Sequence, residues 1–450
     1  MQILATDADL VALLTPAEKD AYIGPQSTMF DQVDIVSETI SMDFDSPASG
    51  HLTITATYKS GADHFIIKFF SQLQSPVNSN QRQCRHLTLV GDAHTGIIIA
   101  LLPQSENIHP SDTHNPITTT TNIPELSWAD IQQRLETTGN EAVWQLQNQG
   151  FKAFSRLNVV IPEVIYLPFK GRGDLHLKGA HKSGGDIYVF KIATAFYNNS
   201  ACGLTPSQGL MMAFDAKTGD PIVVLKDEGN LTDLRTAIAG RNAAQQLMPE
   251  AEVTGIGVLG TGVQARLQVS LLKDLYPQCR QLTVWGHTPT NTVAYAREMT
   301  QNGWQVTVVD SPKQVAKTAN LIVTTTASEV ALLGADDITK ENTLVIAIGA
   351  DMPGKLELAP SLLKKADCVL IDSIKQGKDH GNAADALHNG VIVESDLQEF
   401  GDFLNNGLKN PQAAKKTKTV SVFGYWRSRF ANSRSRASRI LRLTVILTTT

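Results

Sequence analysis

The stretch Gly257-Val258-Leu259-Gly260-Thr261-Gly262-Val263-Gln264-Ala265 decides the fold, because of what lies on either side of it. The apolar run 256–259 is predicted as a buried strand, and 266–275 as an amphipathic helix. A second apolar strand at 282–285 completes the βαβ context in which G-x-G-x-x-A binds a dinucleotide. The glycines permit the turn and the approach of the pyrophosphate, and the helix N-terminus offers N–H groups to it. The predicted cofactor contacts in this loop are Gly260, Thr261, Gly262, Val263 and Gln264.

The region 251–375 continues as alternating strands and short helices. Six apolar runs are predicted as strands, which is typical of a doubly wound parallel sheet. They cover 255–259, 282–285, 305–309, 321–325, 344–348 and 368–372. The sequence therefore predicts an α/β protein with a Rossmann-type dinucleotide-binding domain.

Composition excludes several classes of protein. The 450 residues carry a formal net charge of −5, which argues against a nucleic-acid partner. No apolar run approaches the roughly 20 residues of a membrane span, and the first 14 residues lack the basic start of a secretion signal. The four cysteines are scattered, with no metal-ligand spacing. We expect a cytoplasmic protein with free thiols and no metal site.

An internal repeat lies upstream of the nucleotide-binding region. Lys182-Ser183-Gly184-Gly185-Asp186 and Asp215-Ala216-Lys217-Thr218-Gly219 recur 123 residues earlier as Lys59-Ser60-Gly61-Ala62-Asp63 and Asp92-Ala93-His94-Thr95-Gly96. The unbroken offset favours a duplication, although two unrelated β-hairpins with similar turns would look alike. We assign 1–103 to a degenerate partial repeat and 104–124, rich in Ser, Thr, Asn, His and Pro, to a linker.

The second copy, 125–250, predicts an α+β domain. A helical pattern covers 128–149, and a second helix is predicted over 232–247, ending before Pro249. Between them, β-rich runs lie at 159–161, 187–190, 210–214 and 222–225.

The end of the second nucleotide-binding strand reads Trp285-Gly286-His287-Thr288. The acidic residue that usually holds the ribose hydroxyls of NAD is missing there. His287 and Thr288 could instead face a 2′-phosphate, although His287 also suits a solvated loop. We expect NADP as the cofactor, with NAD as the alternative.

Three charged residues stand where chemistry is expected. Asp351, in Gly349-Ala350-Asp351-Met352-Pro353-Gly354-Lys355, follows a predicted strand at the ligand-facing edge of the sheet. It is a candidate acid/base group, unless it only caps a turn. Arg235 could hold a substrate carboxylate through its guanidinium, or pair with Asp233. Lys191 follows a strongly apolar strand, so it is either a carboxylate ligand or a strand-end lysine in solvent.

The sequence resembles the ornithine cyclodeaminase/mu-crystallin family over about 125–423. The resemblance implies a homodimer whose substrate-binding and dimerisation domain is built from segments before and after the nucleotide domain. Here those segments would be 125–250 and 376–450, around 251–375. The stretches that carry it are Phe190-Lys191-Ile192-Ala193-Thr194, Gly209-Leu210-Met211, Asp215-Ala216-Lys217-Thr218-Gly219, Leu231-Thr232-Asp233-Leu234-Arg235-Thr236, Gly260-Thr261-Gly262-Val263-Gln264-Ala265-Arg266, Asn320-Leu321-Ile322-Val323-Thr324-Thr325-Thr326 and the Asp351 loop.

The resemblance also implies residue roles and a reaction. Lys191 and Arg235 correspond to contacts with a substrate carboxylate, Arg156 to the family's early arginine, and Asp351 to the acid/base carboxylate. The reaction is NAD(P)-dependent chemistry at an amino-acid carbon by way of an imine. We expect a reductase of a C=N bond beside a carboxylate; the alternatives are a cyclodeaminase using bound NAD and a non-catalytic dinucleotide-binding protein. The further cofactor contacts implied are Thr324, Thr325 and Thr326.

Two segments depart from the family pattern. The upstream repeat keeps Lys68 at the Lys191 position but has Val33 where Arg156 maps, and it ends before any partner of Arg235, so we expect no second active site. Residues 424–450 are basic and rich in Ser where the family has an S/T-x-G-x-A segment. One choice of codons yields that pattern in another reading frame, so either a frameshift or a divergent tail explains them.

Overall fold

A computed structural model describes residues 2–3, 12–15, 35–44, 49–74, 82–108, 123–196, 198–205, 207–350, 354–379 and 381–409. Within these residues the chain forms three large sheets and one two-stranded sheet. The expectations for the tail 424–450 lie outside the described residues. No described helix is both long and apolar enough to cross a bilayer.

The N-terminal sheet has six strands, of which only the first pairs in parallel. Its third strand buries Leu52, Ile54, Ala56 and Tyr58 at every second position, which turns one apolar face toward a core. The strands are β1 (Gln2–Ile3), β2 (Ile35–Phe44), β3 (Gly50–Lys59), β4 (His64–Gln74), β5 (Arg82–Asp92) and β6 (Ile98–Ile108), in the spatial order β1-β6-β5-β4-β3-β2.

The substrate sheet, which we define as the strands of 125–225, repeats this plan. Its order is β7-β13-β12-β11-β10-β8, with β9 also paired to β10. The predicted helix over 128–149 is two helices, because Gly139, at φ +80°, separates them. The elements are β7 (Glu125–Leu126), α1 (Trp128–Thr138), α2 (Asn140–Ser155), β8 (Val159–Val160), β9 (Ile165–Phe169), β10 (Gly173–Lys182), β11 (Ile187–Phe196), β12 (Ser207–Asp215), β13 (Pro221–Leu225) and α3 (Asn230–Leu247).

The two sheets share their register at the offset of 123. Gly50 pairs with Leu73 between β3 and β4, and Gly173 pairs with Phe196 between β10 and β11. Each sheet also has one irregularity at the corresponding place, between Val90 and Gly91 and between Ala213 and Phe214. The match in sequence is therefore accompanied by a match in strand order and pairing.

The nucleotide-binding sheet is parallel and has the order β16-β15-β14-β17-β18. The order reverses beside β14, so the carboxyl ends of β14 and β17 form the crevice where ligands bind in such sheets. The predicted α/β class with a Rossmann-type sheet is confirmed. The elements are β14 (Ile256–Leu259), α4 (Val263–Leu275), β15 (Gln281–Trp285), α5 (Pro289–Gln301), β16 (Gln305–Val308), α6 (Pro312–Thr318), β17 (Leu321–Thr324) and β18 (Leu344–Ala347).

The prediction of a sixth strand in this sheet is wrong in its pairing. The run at 368–372 does form a strand, but it pairs in parallel with a later segment and not with β18. An apolar run predicts a strand without naming its partner, and the partner here is a short segment that the pattern did not predict. The remaining elements are α7 (Pro360–Lys365), β19 (Val369–Ile371), α8 (Ile374–Gly377), α9 (Gly381–His388), β20 (Leu397–Glu399) and α10 (Phe400–Asn406), with single 3₁₀ turns at Asn199–Cys202, Glu250–Glu252, Ala335–Asp337 and Glu394–Asp396.

The last described helix, α10, returns to the start of the substrate domain. Phe400 meets Phe151 of α2 edge to face, with ring centroids 4.7 Å apart. Asn405 donates to the carbonyl oxygen of Lys152 at 3.1 Å, and Ser155 donates to Glu399 at 2.7 Å. Residues 397–409 thus pack on the segment that precedes the nucleotide-binding sheet.

Candidate active site

The glycine loop is shaped to receive a pyrophosphate. Gly260 has φ +115°, and a β-carbon there would lie 2.5 Å from Thr325 Oγ1. A β-carbon on Gly262 would meet no atom of the described residues within 4 Å, which leaves space for a ligand in front of α4. The first N–H groups of a helix have no partner within it and favour an anion. The loop therefore fits a dinucleotide, with Gly262, Val263 and Gln264 nearest its phosphates.

The side chain of Arg266 contacts the backbone of this loop. Arg266 Nη1 donates to the carbonyl oxygen of Gly262 at 3.2 Å, and its Nε donates to Glu298 at 2.8 Å. The guanidinium also lies 5.2 Å from the ring centre of Tyr295. With its charge shared between a carboxylate and an aromatic face, Arg266 holds the backbone of the loop.

The residues after β15 follow the strand that lies beside β14, at the same carboxyl edge of the sheet. His287 and Thr288 are exposed, and Thr288 is the residue from which α5 begins. No acidic residue lies between Gly286 and Asn291. Residues 286–291 therefore offer hydroxyl and imidazole groups and no carboxylate at this end of the strand.

Lys191 lies inside the protein on the face of β11 that looks toward α3. Only 4% of it is exposed, and its Nζ donates to Thr232 Oγ1 at 3.3 Å. Burial, and next the nearby charge of Arg235, lower the pKa of Lys191 to about 7. Arg235 is itself 5% exposed. These two buried positive charges repel each other. A bound anion would therefore stabilise the pair.

Two carboxylates partly balance these cations. Asp227 follows β13 and accepts from the backbone N–H of Leu231 at 3.1 Å, while burial raises its pKa to about 6. Its Oδ1 is buried with no hydrogen-bond partner in the part of the chain that the structure describes. Burial also raises the pKa of Asp233, against the effect of a hydrogen bond from Gln264.

Gln264 connects the cluster to the glycine loop. Its Nε2 donates to both Asp233 Oδ1 and the Asp233 carbonyl oxygen, at 3.0 Å each. Gln264 lies in the first turn of α4 and Asp233 in the first turn of α3. The two helices are in contact at Gly240, where a β-carbon would overlap Gln268. The cation cluster and the pyrophosphate-binding turn are therefore adjacent.

Thr324 and Thr326 are held by a carboxylate that the sequence reasoning missed. Glu357 is fully buried, which raises its pKa. It accepts from Thr324 Oγ1 at 2.7 Å, from Thr326 Oγ1 at 2.8 Å and from the Gly349 N–H at 2.8 Å. Glu357 thus ties together the ends of β17 and β18, the edge of the sheet that faces the crevice.

Two further charged residues near the cluster were also missed. Lys178 pairs directly with Lys191 across β10 and β11 and is 7% exposed, so the two side chains share a face. Asp372, directly after β19, is buried, and burial raises its pKa well above the usual value while the charge of Arg235 lowers it. Asp372 stands at the end of a predicted apolar strand, which was an available signal, whereas Lys178 lies in β10, whose mixed sequence gave none.

The structure does not gather all the predicted residues. Asp351 lies outside the described residues. Arg156 is exposed after α2, in a groove with Lys152 and Lys182. Val159 pairs with Lys182, four residues along β10 from the position that faces Lys191. Arg156 is therefore placed beyond the far end of that strand and not beside the Lys191 cluster.

Comparison with known proteins matches nearly the same range of the chain as the family resemblance in the sequence. The sequence model of the ornithine cyclodeaminase/mu-crystallin family matches residues 129–423. An uncharacterized cyclodeaminase y4tK of Sinorhizobium fredii is 30% identical over 60% of this chain and 82% of its own length. The iminosuccinate reductase of Paracoccus denitrificans is 27% identical over 50% of this chain and 68% of its own.

A solved structure shares the fold. The archaeal alanine dehydrogenase dimer with bound NAD superposes with a TM-score of 0.58 at 23% identity, over 73% of this chain and 94% of that one. The family match leaves out the N-terminal sheet and ends at 423, where the tail departs from the pattern. The chain belongs to the ornithine cyclodeaminase/mu-crystallin family.

Proposed function

We propose that the protein is an NAD(P)H-dependent reductase of an imine that stands next to a carboxylate. The observation that carries the proposal is the 3.0 Å hydrogen bond from Gln264 to Asp233. It joins the phosphate-binding turn of α4 to the buried cations Lys191 and Arg235. A dinucleotide on the glycine loop and a carboxylate on these cations would then be neighbours, as hydride transfer requires. The similarity to an iminosuccinate reductase supports the same class of substrate.

The residues divide the work of such a reaction. A nicotinamide held by the glycine loop would supply a hydride to the imine carbon, and the C=N electron pair would then move to nitrogen. Nitrogen takes a proton, so an imine becomes an amine. Lys191 and Arg235 hold the carboxylate, and Asp227 and Asp233 limit the repulsion between them. We assign the proton at nitrogen to Asp351, on the family correspondence.

A cyclodeaminase is the second candidate, because the relative from Sinorhizobium fredii carries that name. A cyclodeaminase returns the same hydride to its substrate, so it consumes no cofactor overall. The test incubates the protein with NADPH or NADH and a panel of cyclic and acyclic imino acids, and separately with ornithine and NAD. Loss of nicotinamide absorbance with an imino acid supports the reductase. Ammonia release from ornithine without net cofactor turnover would replace it with the cyclodeaminase, and tight binding without either would leave a dinucleotide-binding protein.

We further propose NADPH as the preferred cofactor. The support is the exposed His287 and Thr288 at the end of β15, with no acidic residue up to Asn291. Replacing His287 with Asp should narrow or reverse the preference, because a carboxylate repels a 2′-phosphate and accepts from ribose hydroxyls. Dissociation constants for NADPH and NADH in parent and variant measure this. Equal constants in the parent would contradict the proposal.

The substrate class is an amino acid or imino acid, and the compartment we propose is the cytoplasm. All four cysteines are free thiols, which suits a reducing compartment. The homodimer that the resemblance implies has a counterpart in the solved alanine dehydrogenase dimer. For this chain, however, the N-terminal sheet supports a different assembly.

A further inference from the structure

One face of the substrate sheet is apolar and covered by the N-terminal sheet. Phe69 of β4 lies with its ring centre 5.5 Å from Phe190 and 5.6 Å from Phe214. Phe44 of β2 lies 5.0 Å from Tyr188. These rings are buried in one continuous core that both sheets share. If the N-terminal sheet did not cover it, this large apolar face would be exposed to water, which is typical of a surface that binds another protein.

The contacts between the sheets have the character of a twofold interface. Thr194 donates to the carbonyl oxygen of Gly96 at 3.2 Å, and a β-carbon on Gly96 would overlap Thr194. At the offset of 123, Gly96 corresponds to Gly219 and Thr194 to Ser71. A β-carbon on Gly219 would overlap Ser71. The same pair of positions therefore meets twice with the sheets exchanged, as in an isologous dimer.

The strands β2 and β9, at the edges of the two sheets, show the same relation. β2 packs against β9, and β2 shifted by 123 residues covers 158–167, which overlaps β9. A segment that contacts its own equivalent lies near the twofold axis. The backbone N–H of Tyr166 donates to Glu38 Oε2 at 2.9 Å in this region.

The symmetry fails where the two copies have diverged. Arg85 of β5 forms an ion pair with Asp220, and the arginine is mostly covered. The exchanged positions are Gln208 and Ile97, which cannot form an ion pair. They line a cavity of about 420 Å³. The N-terminal sheet therefore fits the substrate sheet of this chain better than it would fit a second copy of itself.

The copies also differ in their chemistry. Lys191 is buried beside Arg235, whereas Lys68, at the same position in β4, is exposed. The glycine loop and α3 follow only the second copy. Within the described residues, the candidate site therefore lies on the second copy and not on the first.

We propose that the N-terminal sheet is a tethered partner subunit, and that the chain is a monomer built like a dimer. The sheet of residues 2–108 occupies the face that a second copy would otherwise cover. Because it belongs to the same chain, its effective concentration far exceeds that of any free copy. A second chain is then excluded from this face.

The mass of the full-length protein in solution tests the proposal. Sedimentation equilibrium with and without NADPH, over a hundredfold range of concentration, should give one species of 48.8 kDa. A stable species of twice that mass in this range would overturn the proposal.

A charge swap tests the interface itself. Arg85→Asp should lower the midpoint of thermal unfolding, because Asp220 then faces a like charge, and Arg85→Asp/Asp220→Arg should recover most of the loss. Lys364→Asp, at an exposed position of α7, is the matched control and should change little. If Arg85→Asp behaves like this control, the sheets do not dock as described and the proposal fails.

Cleavage of the chain between the two sheets distinguishes the effect of the covalent link from that of the interface. A protease site inserted into the 109–122 segment should leave, after cleavage, two fragments that elute together at the mass of the intact chain. Fragments that separate while the larger one stays single would overturn the proposal, because the apolar face would then need no partner.

Discussion

At the scale of single residues, Lys191 decides how the candidate site responds to pH. Burial lowers its pKa to about 7, with Arg235 adding to the shift and the two aspartates opposing it. The ammonium is therefore fully present only below neutral pH in the free protein. A bound carboxylate would favour the charged form, so binding of an anionic substrate and protonation of Lys191 are coupled.

We expect kcat/KM for a carboxylate substrate to fall as pH rises above about 7. The rate should fall because only the protonated Lys191 holds the anion. The value of about 7 applies because kcat/KM reports the ionisation of groups in the free enzyme. Lys191→Met should have a raised KM and lack this decline, because it has no ammonium to lose. Rates measured from pH 6 to 9 check both.

Lys191→Arg is the control for this prediction. Arginine keeps its charge throughout this range, so the fall above pH 7 should vanish even if the new side chain fits less well. A decline of equal size in all three proteins would assign the titration to the substrate or to another residue.

Asp351 allows a second prediction at this scale, from the sequence correspondence. Asp351→Asn should bind NADPH as the parent does and lose roughly 10²–10⁴-fold in kcat, the usual contribution of a general acid or base. Cofactor titration and turnover measure the two quantities. A variant with parental turnover would show that Asp351 takes no part in the proton transfer.

At the scale of elements, the strand–turn–helix unit of β14 and α4 requires glycine twice, for different reasons. At Gly260 the backbone itself demands it, through φ +115° and the closeness of Thr325. At Gly262 no described residue does, since a β-carbon there would meet none of their atoms within 4 Å. A ligand close to the backbone would explain that second glycine.

The two glycines therefore give a matched pair of variants. Gly262→Ala should keep the parental unfolding temperature and lose cofactor affinity, because its methyl group enters the space of the pyrophosphate. Gly260→Ala should lower both the unfolding temperature and the cofactor affinity. The backbone strain alone costs about 1–3 kcal/mol, and the overlap with Thr325 adds to it. Thermal unfolding and NADPH titration separate them. Parental affinity in Gly262→Ala would place the cofactor elsewhere.

The sequence predicted these elements well where one local pattern determines them. The run of 256–259, the glycine loop and the helix after it are local, and the structure forms all three. Pairing is not local, so 368–372 formed a strand with the partner at Leu397–Glu399 and not with β18. The strands β9 and β10 had no prediction, since β10 carries charged and polar residues among its apolar ones.

The sequence predicted only some residues of the candidate site, again because local patterns do not show contacts between distant segments. Lys191 stood out because it follows an apolar run, and Arg235 because its guanidinium suits a carboxylate and because of the family resemblance. Glu357 and Asp372 matter through contacts that bring together loops distant in sequence. Such contacts depend on the packing of whole elements, which no single stretch of sequence encodes.

At the scale of the whole molecule, the substrate sheet is the central layer. The N-terminal sheet covers one of its faces, and α1, α2 and α3 cover the other. The nucleotide-binding sheet joins this body through α3 and α4 and through the return of α10 to α2. Phe400 and Phe151 belong to the same buried cluster as the centre of the nucleotide-binding sheet, so α10 fastens one unit to the other.

Removing the Phe400 ring should therefore weaken the whole molecule. The ring is fully buried against Phe151, and truncating such a side chain to Ala costs about 3–5 kcal/mol, because a cavity remains where packing was lost. Phe400→Leu should cost less, and Val393→Ala, at a position 58% exposed, should stay within about 0.5 kcal/mol of the parent. Urea unfolding followed by fluorescence and by loss of bound NADPH provides the measurement. We expect both signals to shift together in Phe400→Ala, because the ring lies between the substrate and nucleotide-binding units. If only one of them shifts, α10 packs on a single unit and does not join the two.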